Sequence, residues 1–194
     1  MTMFKFYLDT DALNRLSSLD GEKLKEFKER FNSINAELIV THVQVDERYS
    51  PREEQKYQEI VEKAIETLRS KGIQIKVEAT NAMVIGISRI GFSSFSNSNI
   101  GNVYDELDKE INACEKAKGN PKDPLNVKRD AMIALSSLEH SFLITTDKCL
   151  CDSFNKVIEE KKELVEKVIT PKARLASQSS EAVADCILET FSKK

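Results

Sequence analysis

The 194-residue chain lacks a surplus of positive charge. Its 29 lysine and arginine residues are opposed by 32 aspartate and glutamate residues, which gives a formal net charge of −3 at pH 7. Proteins that coat nucleic acid rely on positive charge over much of their surface. The composition therefore counts against a simple coating protein, and any binding of nucleic acid has to come from a local basic patch.

Long apolar segments are also missing. The first apolar run, Phe4 to Leu8, stops at Asp9 and is too short for a secretory signal peptide, and no later run is long enough to cross a membrane. We therefore expect a soluble cytoplasmic protein that does not bind membranes. Hydrophobic residues make up 40% of the chain, which is enough for the core of one domain over residues 1–194.

Cysteine and histidine are scarce. The spacing of the cysteines is neither the paired spacing of a zinc site nor that of a densely disulfide-linked secreted domain, so we expect four free thiols in a reducing compartment. The two histidines have no partner pattern for a zinc site or for a catalytic nucleophile, and we interpret both as structural. These residues are Cys114, Cys149, Cys151 and Cys186, with His42 and His140.

Short apolar runs alternate with stretches of helical periodicity. Pro171 is expected to end the last of the runs. The alternation predicts an α/β fold with three layers, α/β/α, around a central and mostly parallel sheet. The predicted strands are Phe4–Leu8, Glu37–Thr41, Ile73–Val77, Phe142–Thr145 and Val165–Thr170.

Residues 81–121 stand apart from this alternation, and we predict that they form a helical insertion. Asn81 to Gly91 is apolar and predicts a helix. The segment from Phe92 to Gly101 is rich in serine and asparagine without a clear period, which predicts a loop. Val103 to Lys118 is charged and helical in its pattern, and the insertion ends at a Gly-Asn-Pro break.

Four acidic residues lie at equivalent ends of the predicted elements. Asp9 and Asp147 follow strands, and Glu47 and Asp130 lie near the beginnings of helices. Each alone has a structural explanation as a helix cap or as a solvated residue in a first turn. Parallel sheets, however, form their sites beyond the carboxyl ends of the strands. Crowded carboxylates repel unless a cation joins them, and carboxylate oxygens suit Mg²⁺ or Mn²⁺.

The motifs around these acids resemble the PIN-domain nucleases. The segment FYLDTDAL around Asp9 resembles the first strand and first acid of that family, and THVQVDE resembles the second element, where Ser or Thr stands six positions before the acid. DAMIAL, which begins at Asp130, resembles the helix of the third acid. LITTDKCL around Asp147 resembles the T-x-D strand end of the fourth. The resemblance covers roughly residues 4–50 and 123–155.

The resemblance implies a PIN-like fold and a divalent-metal-dependent phosphodiesterase, most simply an endoribonuclease that cleaves RNA with metal-activated water. Asp9, Glu47 and Asp130 would bind Mg²⁺ or Mn²⁺, and Asp147 would complete the site directly or through water. Thr145 would orient a ligand or a water from behind, as would Thr10. The resemblance to PIN-domain nucleases is also compatible with a protein inhibitor or a homodimer as partner. Asp46 stands beside Glu47, and the six-residue spacing from Thr41 favours Glu47.

Five basic residues flank the predicted ligands. If the acids converge, these side chains would surround the site and hold the phosphates of RNA on either side of the cut. The alternative is that they are solvated charges on helix surfaces. They are Arg48, Arg52, Lys128, Arg129 and Lys148.

Two other functions stay open at this point. Asp9-Thr10-Asp11 after an apolar strand also fits the beginning of haloacid-dehalogenase-like phosphatases, in which the first aspartate, here Asp9, is a nucleophile; Ala12-Leu13 stands where such enzymes usually have Gly-Thr. An Asp11→Asn substitution would abolish activity in such a phosphatase and be tolerated in a PIN nuclease. The other alternative is an inactive PIN-like protein that binds RNA or acts as a scaffold through residues 81–121.

Overall fold

The computed structural model describes residues 3–45, 52–80, 98–119, 122–138, 141–161 and 171–192, with the backbone alone for residues 52–58, 98–100, 191 and 192. Within these ranges five strands form one sheet in the order β3-β2-β1-β4-β5, and every neighbouring pair is parallel. The strands are β1 Phe4–Leu8, β2 Ala36–Thr41, β3 Ile75–Glu78, β4 Ser141–Thr145 and β5 Lys172–Leu175.

Helices connect the strands and cover both faces of the sheet. The three-layer α/β/α fold predicted from the sequence is confirmed. None of the helices in the described ranges has the length and apolar character required to cross a membrane. They are α1 Thr10–Ser17, α2 Gly21–Asn32, α3 His42–Val45, α4 Arg52–Ser70, α5 Ser98–Ala117, α6 Pro124–Ser136, α7 Lys148–Glu160 and α8 Ser180–Ser192.

The period of two in the strands divides the core into two layers. Phe6 and Leu8 of β1 pack into one layer, with residues of α1, α2, α4 and α8. Tyr7, between them in the chain, packs into the other layer, with residues of α5, α6 and α7. Successive side chains of a strand point to opposite faces, so a strand buried on both faces has to be apolar throughout. This explains why β1 reads as an unbroken apolar and aromatic run after Lys5.

Several predicted boundaries differ from the structure. The last described strand, β5, begins directly after Pro171, where the sequence analysis predicted no strand. Proline lacks the backbone N–H that a ladder needs, and the position before a strand tolerates it. The predicted strand Val165–Thr170 lies outside the described residues. The loop predicted to run to Gly101 is also wrong at its end, because α5 already begins at Ser98.

Helix α5 is the described part of the region predicted to be an insertion. Its residues Val103, Leu107 and Ile111 are buried in the second core layer. The helix packs against α6 and α7. It therefore covers the sheet together with those helices. Residues 81–97, including the predicted helix Asn81–Gly91, lie outside the described residues, so the helical insertion itself stays a prediction.

The strand order places a topological switch point beside β1. The chain leaves β1 for β2 and β3 on one side, and returns to β4 and β5 on the other. Connections that diverge in this way leave a crevice at the carboxyl ends of the strands. The residues that follow β1 and β4 meet there. The Asp9 amide still donates to the Ile144 carbonyl at 3.0 Å, which holds Asp9 beside the end of β4.

The expectation of four free thiols is wrong. Cys114 of α5 and Cys149 of α7 form a disulfide, with 5.7 Å between their Cα atoms. Cys151 and Cys186 are free. The pair is separated by 35 positions in the sequence, and its proximity follows from the packing of α5 against α7. Sequence spacing alone carries no sign of that packing.

Reduction should lower the stability of the protein. A cross-link that closes a loop of 35 positions restricts the unfolded chain by about 3–4 kcal/mol in the chain-entropy account. We expect dithiothreitol, or Cys114→Ser, to lower the free energy of unfolding in urea by about that amount, while Cys186→Ser changes it far less. Alkylation of the denatured chain without reductant should label two thiols; labelling of all four would contradict the disulfide.

Candidate functional site

An open cleft of about 250 Å³ lies at the switch point, beyond the carboxyl ends of β1 and β4. Three of the four predicted acids, Asp9, Asp130 and Asp147, line it. They come from three different parts of the chain: Asp9 and Asp147 are the N-caps of α1 and α7, whereas Asp130 is the middle residue of α6 and not near its beginning as predicted. The predicted fourth ligand Glu47 and its neighbour Asp46 lie outside the described residues, so that assignment stays a prediction.

Asp9 is buried where β1 meets β4. As the N-cap of α1, it accepts the amide of Ala12 on Oδ1 at 2.6 Å. Its Oδ2 accepts the hydroxyl of Thr145 and the amide of Thr146, the latter at 3.3 Å. The side chain is only 6% exposed. Burial raises the pKa of Asp9 to about 6 despite these hydrogen bonds, and the negative charges of Asp130 and Asp11 add to the rise.

Asp130 reaches the cleft from α6. The helix begins with Pro124 after the cap residue Asp123, whose carboxylate accepts the Leu125 amide at 2.7 Å. Burial raises the pKa of Asp130 to about 6, although the ammonium group of Lys122, at 3.0 Å from Oδ2, acts in the opposite direction. Asp9 and Asp130 are thus two neighbouring carboxyls whose charged forms the protein stabilises incompletely.

Asp147 behaves differently. It is the N-cap of α7, and its Oδ1 accepts the amides of Cys149 at 2.7 Å and Leu150 at 3.3 Å. Its Oδ2 accepts from the ammonium group of Lys122. Burial alone would raise the pKa of Asp147, but the contact with Lys122 and the helix amides outweigh it and lower the pKa below its usual value. The cleft therefore has one carboxylate that is stable as an anion.

Thr145 connects two of the acids. It is fully buried at the end of β4. Its hydroxyl donates to Oδ2 of Asp9 and accepts the backbone amide of Asp147 at 2.9 Å. Because this hydroxyl has a single proton, the contact to Asp147 requires it to point at Asp9. Thr145 thus fixes the carboxylate of Asp9 and the backbone of Asp147, and its predicted role toward a metal ligand or water stays a prediction.

Gln44 is a buried residue of the site that the sequence analysis missed. Its Oε1 accepts the amide of Thr41 at 2.9 Å, and its Nε2 donates to the carbonyl of Leu8 at 3.0 Å and to Oγ1 of Thr10 at 3.4 Å. It therefore holds the ends of β1 and β2 and the predicted residue Thr10 together. A Thr followed three positions later by Gln is the sequence signature of a helix capping box, which could have revealed it.

Three further charged residues lie beside the cleft without any sequence motif to mark them. Glu115 of α5 is buried and pairs with Lys118 at 3.3 Å. Lys118 also lies 3.7 Å from Oδ1 of Asp147. Lys122 contacts Asp130 and Asp147 and lies 3.9 Å from Oε1 of Glu115. Burial alone would lower the pKa of Lys122, but the carboxylates of Asp130 and Asp147 raise it above its usual value.

The predicted substrate-binding residues fall into different places. Arg129 lines the cleft and contacts Asn126 at 3.3 Å. Lys128 is exposed and does not line the cleft, and Lys148 is exposed and pairs with Asp152 on its own helix. The backbone of Arg52 begins α4, but its side chain, like all of Arg48, lies outside the described residues.

The donor set of the cleft is one of hard oxygen ligands. Asp9, Asp130 and Asp147 present carboxylates beside a threonine hydroxyl, which suits Mg²⁺ or Mn²⁺. A second grouping, in which Glu115 and Asp147 approach the sulfur of Cys149, also has metal-binding spacing. That sulfur is in a disulfide and is not a thiolate ligand, so only the carboxylate oxygens around the cleft are left as ligands for a cation.

Cation binding should weaken as the pH falls. Asp9 and Asp130, with pKa values of about 6, are mostly charged at pH 7 and mostly protonated at pH 5. Because a proton and a cation compete for the same oxygens, the affinity for Mn²⁺ should fall by about 10-fold for each of the two ligands across this range.

Calorimetric titration with Mn²⁺ at the two pH values measures this change. Asp9→Asn removes one titrating ligand, so it should weaken binding at pH 7 and reduce the pH dependence by about one proton. Binding that is equally tight at pH 5 and pH 7 would contradict the assignment of these carboxyls as ligands.

The hydroxyl of Thr145 should matter more than its bulk. Thr145→Val keeps the shape of the side chain but removes the donor to Asp9 and the acceptor of the Asp147 amide. We expect Mn²⁺ affinity to fall by about 10- to 100-fold, as for other residues that orient metal ligands. Thr145→Ser keeps the hydroxyl and should bind Mn²⁺ nearly as tightly as the unaltered protein. Equal loss in both variants would mean that packing alone is responsible.

Comparison of the chain with protein-family models, with curated proteins and with solved structures found no match. The likeness to PIN-domain nucleases therefore stays a prediction carried by the motifs around Asp9, Asp130 and Asp147 and by their spacing.

Proposed function

We propose that this protein is a divalent-metal-dependent phosphodiesterase, most simply an endoribonuclease. The observation that carries the proposal is the meeting of Asp9, Asp130 and Asp147 in one open cleft at the switch point of a parallel sheet. The PIN-like motifs in the sequence lead to these same residues. Two of the three carboxyls have raised pKa values, which is the state expected of ligands that await a cation.

Each part of the cleft has a task in this proposal. Asp9 and Asp130 hold the cation, and Thr145 keeps the Asp9 carboxylate in place. A bound Mg²⁺ or Mn²⁺ supplies the positive charge that activates water and stabilises the oxygens of a phosphodiester under attack. Arg129, at the edge of the cleft, is placed to hold a neighbouring phosphate. The preference for RNA over DNA rests on the family resemblance alone.

The phosphatase alternative gains no support from the geometry of Asp9. A nucleophilic aspartate needs an oxygen that is free to attack phosphorus. Oδ2 of Asp9 already accepts two hydrogen bonds, and Oδ1 accepts a short one from the Ala12 amide. The one lone pair that is left on Oδ1 is open to a cation as well as to phosphorus, so Asp9 alone does not separate the two functions. Asp11, the expected acid of such a phosphatase, is engaged with Arg15 at 2.7 Å and with Thr146 at 2.5 Å.

The scaffold alternative makes a different prediction for metal binding. An inactive PIN-like protein would not need cation-dependent acids in an open cleft, and its contact surface would lie in residues 81–121. Calorimetric titration separates the two, because a scaffold should either bind no Mn²⁺ or bind it equally well after Asp9→Asn combined with Asp130→Asn.

We also propose that the protein is located in the cytoplasm. Cytosolic thiols are held reduced, so Cys114 and Cys149 would pair there only after oxidation. Rapid alkylation of the protein in intact cells, followed by mass spectrometry, measures the state of the pair. A fully oxidised pair in unstressed cells would instead point to an oxidising compartment.

Loss of the Asp130 charge should abolish most of the activity. With Mn²⁺ we expect the protein to cleave single-stranded RNA internally, and Asp130→Asn to lower kcat/KM by about 100-fold or more, because several kcal/mol of transition-state stabilisation depend on the cation. EDTA should have the same effect. Asp152→Asn is the matched control, since Asp152 is an exposed acid of α7 that pairs with Lys148 outside the cleft.

The same assay with single-stranded DNA separates the substrate from the chemistry. Cleavage of DNA but not RNA would retain the metal-dependent mechanism and overturn the choice of RNA. Cleavage that survives both EDTA and Asp130→Asn would contradict the proposed function.

A further inference from the structure

Lys122 places a fixed positive charge inside the acidic cleft. Its ammonium group lies 3.0 Å from Oδ2 of Asp130, is in hydrogen-bond contact with Oδ2 of Asp147 and lies 3.9 Å from Oε1 of Glu115. Its side chain is 31% exposed, which is less than the 68% of the surface lysine Lys148. The ammonium group of Lys122 bridges two carboxylates of the proposed metal site. It therefore has the position and the positive charge that a bound metal ion would have there.

The backbone directly after Lys122 is restrained. The next residue, Asp123, caps α6, and Pro124 follows as the first residue of that helix. Proline restricts its own φ and disfavours helical backbone in the residue before it, so the chain has little freedom at this point. On the other side of the cluster, the disulfide joins α5 to the first turn of α7, next to Asp147. Lys122 therefore lies next to a restrained residue, shortly before α6, and contacts the acids from there.

The charges in the cluster suggest how many cations it can take. Among the described residues, five carboxylates line or adjoin the cleft, namely those of Asp9, Asp11, Asp130, Asp147 and Glu115. Lys122, Lys118 and Arg129 bring three positive charges to this group. The formal charge that is left is the charge that one divalent ion balances. Asp9 makes no contact with either lysine among the described interactions, so the lysines leave the Asp9 side of the cluster uncompensated, and Asp130 lies between that side and Lys122.

We propose that Lys122 takes the place of a second divalent ion, so that the site binds a single Mg²⁺ or Mn²⁺ on the side of Asp9 and Asp130. This rests on the proposed function for the assignment of the cleft as a metal site. Two-metal sites hold their ions about 3.5–4 Å apart on shared carboxylates. Here Asp130 is the shared carboxylate, with Lys122 on one side of it and the single ion on the other.

The test is a count of bound Mn²⁺ ions on the full chain by electron paramagnetic resonance. We expect one ion in the unaltered protein and in Lys122→Arg, which keeps the charge. Lys122→Met, which keeps the length of the side chain without its charge, should bind two. Lys156→Met is the matched control, because Lys156 also joins α7 to α5 through one ion pair, at 2.7 Å to Glu110, and does not line the cleft. It should bind one ion.

A purely structural role for Lys122 predicts a different result, namely reduced stability with an unchanged ion count. Two ions in the unaltered protein, or one ion in a folded Lys122→Met variant, would overturn the inference. Lys122→Gln gives a second neutral variant, with folding checked by circular dichroism, should the methionine variant not fold. The count in the unaltered protein tests the inference by itself.

The metal dependence of RNA cleavage separates this inference from the proposed function. The rate in the unaltered protein should rise with the first power of Mn²⁺ concentration below saturation, and in Lys122→Met with the second power. RNA cleavage that needs two ions in the unaltered protein would overturn the single-ion inference and leave the nuclease proposal intact. One bound ion without cleavage of any nucleic acid would overturn the nuclease proposal and leave the single-ion inference intact.

Discussion

The burial of the Asp9 carboxylate between β1 and β4 is the interaction on which the rest of the site depends. Removing a carboxylate from water is costly, and the fold offsets the cost with the amide of Ala12, the hydroxyl of Thr145 and the amide of Thr146. These bonds tie the beginning of α1 to the end of β4 and so define the cleft. They do not compensate fully, because the pKa of Asp9 still lies at about 6. On the proposed function, this incomplete compensation leaves the Asp9 carboxylate suited to a cation.

The remaining charges are arranged unequally around this residue. Asp147 lies at the beginning of α7 and against Lys122, and its pKa is lowered. Asp130 touches the same lysine, yet its pKa is raised, as is that of Asp9. The positive charges of the protein therefore satisfy one side of the cluster and leave the other side short of a cation. Lys122, which lies shortly before α6, causes this unequal distribution of charge. On the proposed function, the side short of positive charge is where a metal ion would bind.

The sequence predicted those features that depend on local pattern. The buried strands were readable because apolar residues fill both faces of β1 and β4, and Asp9 and Asp147 were readable because parallel strands end at the same edge of the sheet. Gln44 was not predicted, although its spacing to Thr41 is a local pattern that could have revealed it. Lys122, Glu115 and the Cys114–Cys149 disulfide were not, because they come together only through the packing of α5 and of the turn before α6 against α7. Such contacts join segments far apart in the chain, and no local pattern records them.

The most direct test of the account is anomalous X-ray diffraction from crystals of the protein grown with Mn²⁺ at pH 7.5. The account predicts one manganese peak in the cleft, within coordination distance of carboxylate oxygens of Asp9 and Asp130, with the Lys122 ammonium group beside it on Asp147. Manganese bound only outside the cleft, or a cleft that stays empty at saturating Mn²⁺, would contradict it.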